Sequence, residues 1–174
     1  MLPEQNFEGM FSVLHERGVR FVLIGGLAAI INGSPFATEG VDVTPEHTES
    51  NLTRLSAALT ELEAKIATRE VPEGVPFSHN ALSLAGSAVW NLVTKFGRLD
   101  IAFVPNGTEG FDDLRRDATD VEIAGIQIAV ASLADIIRSK QAANRPKDQR
   151  VLPTLREILA ARNPRNQGNQ TNQR

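Results

Sequence analysis

The stretch that decides the fold runs from Phe21 to Val43 and reads FVLIGGLAAIINGSPFATEGVDV. It opens with four apolar residues, reaches Gly25-Gly26, and continues through a short apolar segment to Gly33-Ser34-Pro35. A second apolar run then carries Asp42. This order of apolar runs and turn residues predicts a strand, a glycine turn, a short helix, a loop and a second strand.

The carboxylate of Asp42 is expected to face back toward the glycine turn. Backbone N–H groups at such a turn can bind a triphosphate, and a nearby carboxylate can hold a divalent metal ion against the phosphates. Residue 40 shares the strand face of Asp42, because side chains alternate along a strand. That residue is glycine, where a second carboxylate is expected. Glu39 is adjacent, but alternation directs it to the opposite face unless a bulge rotates it.

Length and composition are those of one compact domain, with 174 residues of which 41% are hydrophobic and 22% charged. The chain has no cysteine, which excludes disulfides and thiolate metal sites. No apolar run approaches the roughly 20 residues that span a bilayer. The N-terminus lacks the basic and apolar regions of a signal peptide. We therefore expect a cytoplasmic protein with no membrane partner.

The charges are distributed unevenly along the chain. Residues 1–137 carry 9 Lys/Arg and 19 Asp/Glu, a net charge of −10, whereas residues 138–174 carry 9 and 2, a net charge of +7. A basic C-terminal segment suits contact with a polyanion such as RNA or a nucleotide. The alternative is a solvated helix and tail that balance an acidic body.

Apolar periodicity predicts an α/β (or α+β) domain over residues 1–162, with a mixed β-sheet flanked by helices. The remaining residues, 163–174, include no apolar side chain and are predicted to be disordered. Residues 71–80 are predicted to form a loop. Helices are predicted over about residues 3–18, 27–31, 48–63, 111–117, from 132, and over 146–162 with a disturbance at Pro153. Strands are predicted over residues 20–24, 41–44, 64–68, 87–96, 98–104, 121–124 and 126–130.

Three features that suggest a nucleotide site occur in order along the chain. They are Ile24-Gly25-Gly26, then Gly40-Val41-Asp42-Val43 after thirteen intervening residues, then Leu99-Asp100-Ile101 on a later strand. This pattern resembles the nucleotidyltransferase fold shared with DNA polymerase beta. The family signature has an apolar residue, Gly, and Gly or Ser, followed by two acidic residues that flank an apolar one. A third acidic residue comes from a later strand.

A second segment, SLADIIRSKQAANRPKD at residues 132–148, narrows the resemblance. Together with residues 25–43 it is similar to the AbiEii-type nucleotidyltransferases, which include the MenT toxins of bacterial toxin–antitoxin pairs, over about residues 5–160. The resemblance implies a polymerase-beta-like nucleotidyltransferase fold with basic C-terminal helices from about residue 132. It also implies an NTP substrate, one or two Mg²⁺ ions, a cognate antitoxin, and transfer of NMP to an acceptor hydroxyl, with the tRNA 3′ end as the expected acceptor.

The resemblance assigns roles to individual residues of this chain. It implies that Gly25 and Gly26 form the phosphate turn, that Asp42 and Asp100 bind metal, and that Lys140 is a catalytic cation. The further residues that it implies for nucleotide binding are Ser34, Thr38, Lys147 and Asp148, together with Lys140.

Each of these residues has a simpler interpretation. The glycines can form an ordinary turn, and Lys140, Lys147 and Asp148 can be surface charges of helices. Asp42 and Asp100 can be edge-strand charges, but each interrupts apolar neighbours, and burying an unpaired carboxylate is costly.

Residue 40 departs from the family pattern, which has Asp there. Loss of one metal ligand is expected to lower the rate by roughly three orders of magnitude. Three explanations follow: a substituted and silenced enzyme, a degenerate protein that only binds, or an enzyme that works with one metal ion held by Asp42 and Asp100. The functional alternatives to an RNA-modifying toxin are a non-catalytic, antitoxin-binding member of the fold, and a nucleotidyltransferase that modifies a protein hydroxyl or a small molecule.

Overall fold

A mixed sheet of seven strands forms the centre of the molecule, in the order β3-β4-β5-β2-β1-β7-β6. The computed structural model describes residues 1–163. The strands are β1 (Phe21–Ile24), β2 (Gly40–Pro45), β3 (Lys65–Ile66), β4 (Val89–Thr94), β5 (Gly97–Ala102), β6 (Thr119–Ile123) and β7 (Ile126–Val130). The helices are α1 (Phe7–Glu16), α2 (Gly25–Ile31), α3 (Glu49–Glu61), α4 (Ala81–Ala85), α5 (Phe111–Asp117), α6 (Leu133–Ala143) and α7 (Pro146–Arg162).

The register of the central strands determines which polar side chains meet. Strand β1 pairs antiparallel with β2, so that Ile24 lies opposite Asp42. Strand β2 pairs parallel with β5, and this places Asp42 beside Asp100 and Gly40 beside Arg98. Because partners in a parallel pair point to the same face, the two carboxylates lie side by side on one face of the sheet.

The core consists of apolar side chains from the sheet and from the helices packed on it. Val41 and Val43 of β2 and Leu99 and Ile101 of β5 are almost completely buried. They flank the two carboxylates in sequence, so the strands that carry Asp42 and Asp100 are held rigidly in the interior. The helices contribute fully or almost fully buried side chains that include Phe11, Leu14, Leu52, Leu55, Leu59 and Leu155.

The predicted mixed sheet flanked by helices is confirmed, as is the strand–helix–strand order of residues 21–45. Helix α2 begins at Gly25, so the two glycines form its first turn and do not precede it. The predicted loop at residues 71–80 is largely irregular, although Val75 pairs with Ile66 through an isolated bridge.

Two helical features differ from the prediction. Helix α4 was not predicted. It has five residues and one buried side chain, Leu84. Its signal is a capping box, in which Asn80 and Ser83 exchange hydrogen bonds. Helix α7 continues through Pro153, where a disturbance of the helix was predicted. Pro153 lies on the exposed face while Leu152 and Leu155 anchor the helix in the core, so the loss of one backbone hydrogen bond is tolerated.

Two other expectations are only partly covered by the structure. The tail predicted to be disordered, residues 163–174, lies from residue 164 onward outside the described residues. Each helix that the structure describes is too short or too polar to cross a bilayer.

Candidate active site

The turn between β1 and α2 is shaped around the carboxylate of Asp42. Gly25 has φ +69°, in the left-handed region that favours glycine. A Cβ at this position would lie 2.5 Å from Oδ2 of Asp42. Glycine is therefore required at residue 25 by its backbone conformation and by the close approach of the carboxylate, which faces the turn as predicted.

The second glycine of the turn packs against the loop before β2. A Cβ at Gly26 would lie 2.7 Å from Oγ1 of Thr38, and that hydroxyl donates a hydrogen bond to the carbonyl of Gly40 at 3.1 Å. Ile24, the N-cap of α2, contributes no side-chain hydrogen bond. The first N–H groups of this helix are therefore suited to an anionic ligand.

Asp42 and Asp100 form a half-buried pair of like charges. Burial, and secondly the Asp100 carboxylate, raise the pKa of Asp42 to about 6, although Lys147 and Lys140 partly oppose the shift. Burial also raises the pKa of Asp100, partly opposed by Arg98 and Lys147. Oδ1 of Asp100 is buried and has no hydrogen-bond partner within residues 1–163. A pair of this kind is stabilised by a cation between the carboxylates.

The donor set of this pair fits one divalent metal ion. Two adjacent carboxylates, one with an unpartnered oxygen, are the oxygen ligands that Mg²⁺ prefers, and phosphate and water usually complete its shell. Across the described part of the chain, no group of three or more His, Cys, Asp or Glu side chains is placed to hold a metal ion. Because residue 40 is glycine, the side chains do not fit two ions held as in the family pattern.

A wall of positive charge from α6 and α7 stands opposite the carboxylates. Lys140 lies in α6, Arg145 is the N-cap of α7, and Lys147 lies in the first turn of α7. All three line the same cavity as Asp42 and Asp100. The short turn between the two helices, closed by Asn144 in the left-handed conformation, is what brings these side chains together.

Asp148 lies behind this wall, in the protein interior, and holds two of its cations in place. Its carboxylate is fully buried and accepts hydrogen bonds from Nε of Arg145 at 2.7 Å and from the backbone N–H of Arg145 at 3.2 Å. Nζ of Lys140 lies 3.6 Å from its Oδ1. Burial alone would raise the pKa of Asp148, but the hydrogen bonds from Arg145 outweigh it and hold that pKa below its usual range. Asp148, expected to bind nucleotide, does not line the cavity and instead orients Lys140 and Arg145.

The cavity has two chambers that meet over the carboxylates. The larger, of about 540 Å³, lies between α2, the loop at residues 34–40 and α7, and it includes the predicted Ser34 and Thr38. The smaller, of about 370 Å³, lies between the ends of β4 and β5 and helix α6. The charged residues that line both chambers are Asp42, Arg98, Asp100, Lys140, Arg145 and Lys147.

Several residues of the cavity were not singled out from the sequence. Arg98, Arg145 and Arg150 add positive charge to the larger chamber. Arg98 stands two residues before Asp100, on the same strand face, which is a signal that the sequence does contain. Glu39 lines the larger chamber, and its exposed carboxylate lies 4.0 Å from Nη1 of Arg98. The strand-alternation rule does not apply to Glu39, because β2 begins after it.

Comparison with known proteins identifies the fold. No protein-family model and no curated protein matches the sequence. Among solved structures, the candidate nucleotidyltransferase TM1012 of Thermotoga maritima has 19% identity and a TM-score of 0.51 over 88% of this chain and 90% of its own. The lincosamide antibiotic adenylyltransferase LnuA, solved with lincomycin bound, has 13% identity and a TM-score of 0.56 over 89% and 99%.

The antibiotic-resistance factor ANT(2'')-Ia is also similar, with 14% identity and a TM-score of 0.51 over 91% of this chain and 89% of its own. These similarities establish that the chain has the nucleotidyltransferase fold, as predicted. They match nearly the whole of each chain, so the shared fold spans residues on both sides of the cavity described above. The narrower resemblance to AbiEii-type toxins stays a prediction.

We predict that Asp42→Asn stabilises the metal-free protein at pH 8. The pKa of Asp42 is about 6 in the folded protein and 3.8 without perturbation, so folding disfavours the ionised carboxylate once the pH exceeds about 4. The substitution should raise the free energy of unfolding by about 1–2 kcal/mol at pH 8, less than the full shift because the side chain is partly hydrated. Urea denaturation in EDTA at a series of pH values measures the difference.

The stabilisation by Asp42→Asn should shrink as the pH falls through 6 and vanish below about 3, where the carboxyl is protonated in both the folded and the unfolded state. Glu122→Gln, which removes an exposed carboxylate from β6, should change stability by less than about 0.5 kcal/mol at every pH. A pH-independent effect of Asp42→Asn would contradict the raised pKa.

We predict that Asp148→Ala destabilises the protein by about 3 kcal/mol, because it leaves the charges of Lys140 and Arg145 without their buried partner. Glu157→Ala on the exposed face of α7 is the matched control and should have little effect. Equal loss of stability in the two variants, measured by urea denaturation, would show that Asp148 does not anchor the wall.

We predict that Gly40→Ala and Gly40→Asp both destabilise the protein, by about 1–3 kcal/mol. A Cβ at residue 40 would lie 2.8 Å from Cβ of Arg98 and 3.1 Å from its carbonyl oxygen, so the strands must separate to accept it. Gly86→Ala is the control, since the nearest atom to its Cβ, the carbonyl oxygen of Ser83, is 3.3 Å away. If Gly40→Asp were as stable as the parent and bound an additional Mn²⁺, residue 40 would be a vacant ligand position after all.

Proposed function

We propose that this protein is a nucleotidyltransferase, which moves a nucleoside monophosphate from an NTP to an acceptor hydroxyl. The observation that carries the proposal is the opposition of a half-buried carboxylate pair, Asp42 and Asp100, to the cations Lys140 and Lys147 across one cavity. Phosphoryl transfer needs little covalent chemistry from the protein, and its main requirements are positioning and balanced charge.

The larger chamber suits the triphosphate. It combines the N–H groups at the start of α2 with the cations Lys140, Arg145, Lys147 and Arg150. Positive side chains that are held in place before substrate arrives stabilise the charge that develops on the leaving pyrophosphate. Arg145 and Lys140 meet this condition because Asp148 fixes them from beneath.

The carboxylates suit the acceptor side of the reaction. The acceptor oxygen forms a bond to the α-phosphorus as the bond from that phosphorus to the pyrophosphate oxygen breaks, and pyrophosphate leaves with the electron pair. The hydroxyl proton passes to the carboxylate pair, whose raised pKa values suit a general base. A Mg²⁺ ion held by Asp42 and Asp100 would supply Lewis-acid charge at the α-phosphate.

For the acceptor we propose RNA, with the tRNA 3′ end as the first choice, and for the biological role a toxin that is paired with an antitoxin protein. The similarity of residues 25–43 and 132–148 to AbiEii-type proteins supports this. The net charge of +7 over residues 138–174 is also consistent with contacts to an RNA backbone. Arg150 and Arg156 are exposed on α7, and Arg150 also lines the cavity.

A second candidate acceptor is the hydroxyl of a small molecule. Two observations favour it: the similarity of the fold to LnuA, which was solved with lincomycin bound, and the smaller chamber of about 370 Å³. Pockets of this size are typical of small-molecule sites. Asn91, Asn106 and Ser139 line that chamber and offer hydrogen bonds to a polar acceptor.

The test is transfer of label from each α-labelled NTP to a tRNA pool in the presence of Mg²⁺. We expect labelled tRNA with at least one NTP and weaker labelling as salt is raised, because the phosphate contacts are screened. Asp100→Asn should reduce the rate by about 1000-fold, and Lys140→Ala by about 100-fold. Lys65→Ala, which changes an exposed lysine of β3 at the edge of the sheet, should transfer normally.

The outcomes separate the candidate functions. Transfer to lincosamides or aminoglycosides but not to tRNA would select the small-molecule acceptor. A thermal shift with NTP and Mg²⁺ but no transfer to any acceptor would select the non-catalytic, binding form of the fold. If the protein neither bound an NTP nor transferred a nucleotide to any acceptor, the proposal as a whole would be contradicted.

A further inference from the structure

The cavity contains one cation, Arg98, that belongs to the sheet and lies among the carboxylates. Nη2 of Arg98 is 3.5 Å from Oδ2 of Asp100, and Nη1 is 4.0 Å from Oε2 of Glu39. The same side chain lines both chambers. The other cations of the cavity, such as Lys140 and Arg145, come from α6 and α7 on the opposite side.

The position of Arg98 is coupled to the missing side chain at residue 40. Gly40 and Arg98 are direct partners in the parallel pairing of β2 with β5, one step before the partners Asp42 and Asp100. The strands approach so closely that a Cβ at residue 40 would be 2.8 Å from Cβ of Arg98. The Cβ and the backbone of Arg98 therefore lie against the point at which a side chain at residue 40 would begin.

The backbone of Arg98 is also held in place. Its N–H donates a hydrogen bond to Oε1 of Gln5 at 3.0 Å, which ties the first residues of β5 to the segment before α1. An arginine with an anchored backbone presents its planar guanidinium in a reproducible position. Guanidinium groups bind phosphate oxygens in pairs and remain protonated throughout the working pH range.

We propose that Arg98 is a catalytic cation that takes the place of one metal ion in this site. The inference rests on the proposed function. Its guanidinium lies beside Asp100 and binds a phosphate oxygen of the nucleotide, while Asp42 and Asp100 would hold a single divalent ion. No proton leaves Arg98 in the transfer, and the electron pair of the broken bond stays on the pyrophosphate oxygen.

A plain surface ion pair is the competing explanation. The side chain of Arg98 is 46% exposed, as is typical of pairs that add little stability. Arg17 forms such a pair with Glu61: its side chain is 48% exposed, and its Nε lies 2.7 Å from Oε2 of Glu61. Arg17 does not line the cavity. The two arginines therefore form a matched comparison in which only Arg98 lies beside the carboxylate pair.

The experiment counts metal ions and measures nucleotide affinity without requiring turnover. Mn²⁺ binding is followed by electron paramagnetic resonance in the presence of saturating α,β-methylene NTPs, which cannot react. The parent protein should bind one Mn²⁺ per chain. Arg98→Met should weaken analogue binding by at least about 10-fold, Arg98→Lys by less, and Arg17→Met not at all.

Two Mn²⁺ ions per parent chain would overturn the inference, and so would an Arg98→Met variant that binds the analogue as tightly as Arg17→Met does. Thermal denaturation of each variant distinguishes loss of binding from loss of the fold. If the parent binds one ion, Arg98→Met loses affinity and no NTP is ever transferred, then the proposed function fails while the role of Arg98 in the nucleotide site stands. If the parent binds no analogue, both proposals fail.

Discussion

The approach of the Asp42 carboxylate to the backbone of Gly25 is the contact on which the rest of the site depends. It fixes the distance between the start of α2 and strand β2, because no side chain at residue 25 could fit between them. The register of β2 with β5 then brings Asp100 next to Asp42. The positions of the glycine turn and of the two carboxylates are thus set by one glycine and one strand pairing.

The charges of the site form two layers, an acidic one on the sheet and a basic one on α6 and α7. On the sheet, the half-buried acids Asp42 and Asp100 have raised pKa values, and a cation between them would stabilise their ionised forms. On α6 and α7, the buried acid Asp148 has a lowered pKa and holds Lys140 and Arg145 at the cavity. A magnesium nucleotide would complement both layers, with its metal at the first and its phosphates at the second.

Local patterns were enough to predict much of this arrangement. The apolar run before Gly25-Gly26 and the acid of β2 indicated the strand–helix–strand unit, and Asp100 followed from its apolar neighbours. The burial of Asp148 was not predicted, because an acid in the first turn of a helix is typically exposed, whereas tertiary packing buries this one completely. The relation of Gly40 to Arg98 depends on a pairing between strands that are 58 residues apart in the chain, which no local pattern reveals.

We propose that a metal–nucleotide complex binds where the Gly25 turn, the acid pair and the wall of α6 and α7 meet. Paramagnetic broadening measures this directly, with Mn²⁺ and an α,β-methylene NTP added to ¹⁵N-labelled protein. We expect the amides of Gly25, Gly26, Asp42 and Asp100 to broaden first, and Asp42→Asn to abolish the effect. Phe111 and Arg115 line a separate groove. Broadening centred on that groove, or spread evenly over the surface, would contradict binding of the metal–nucleotide complex at the Gly25 turn.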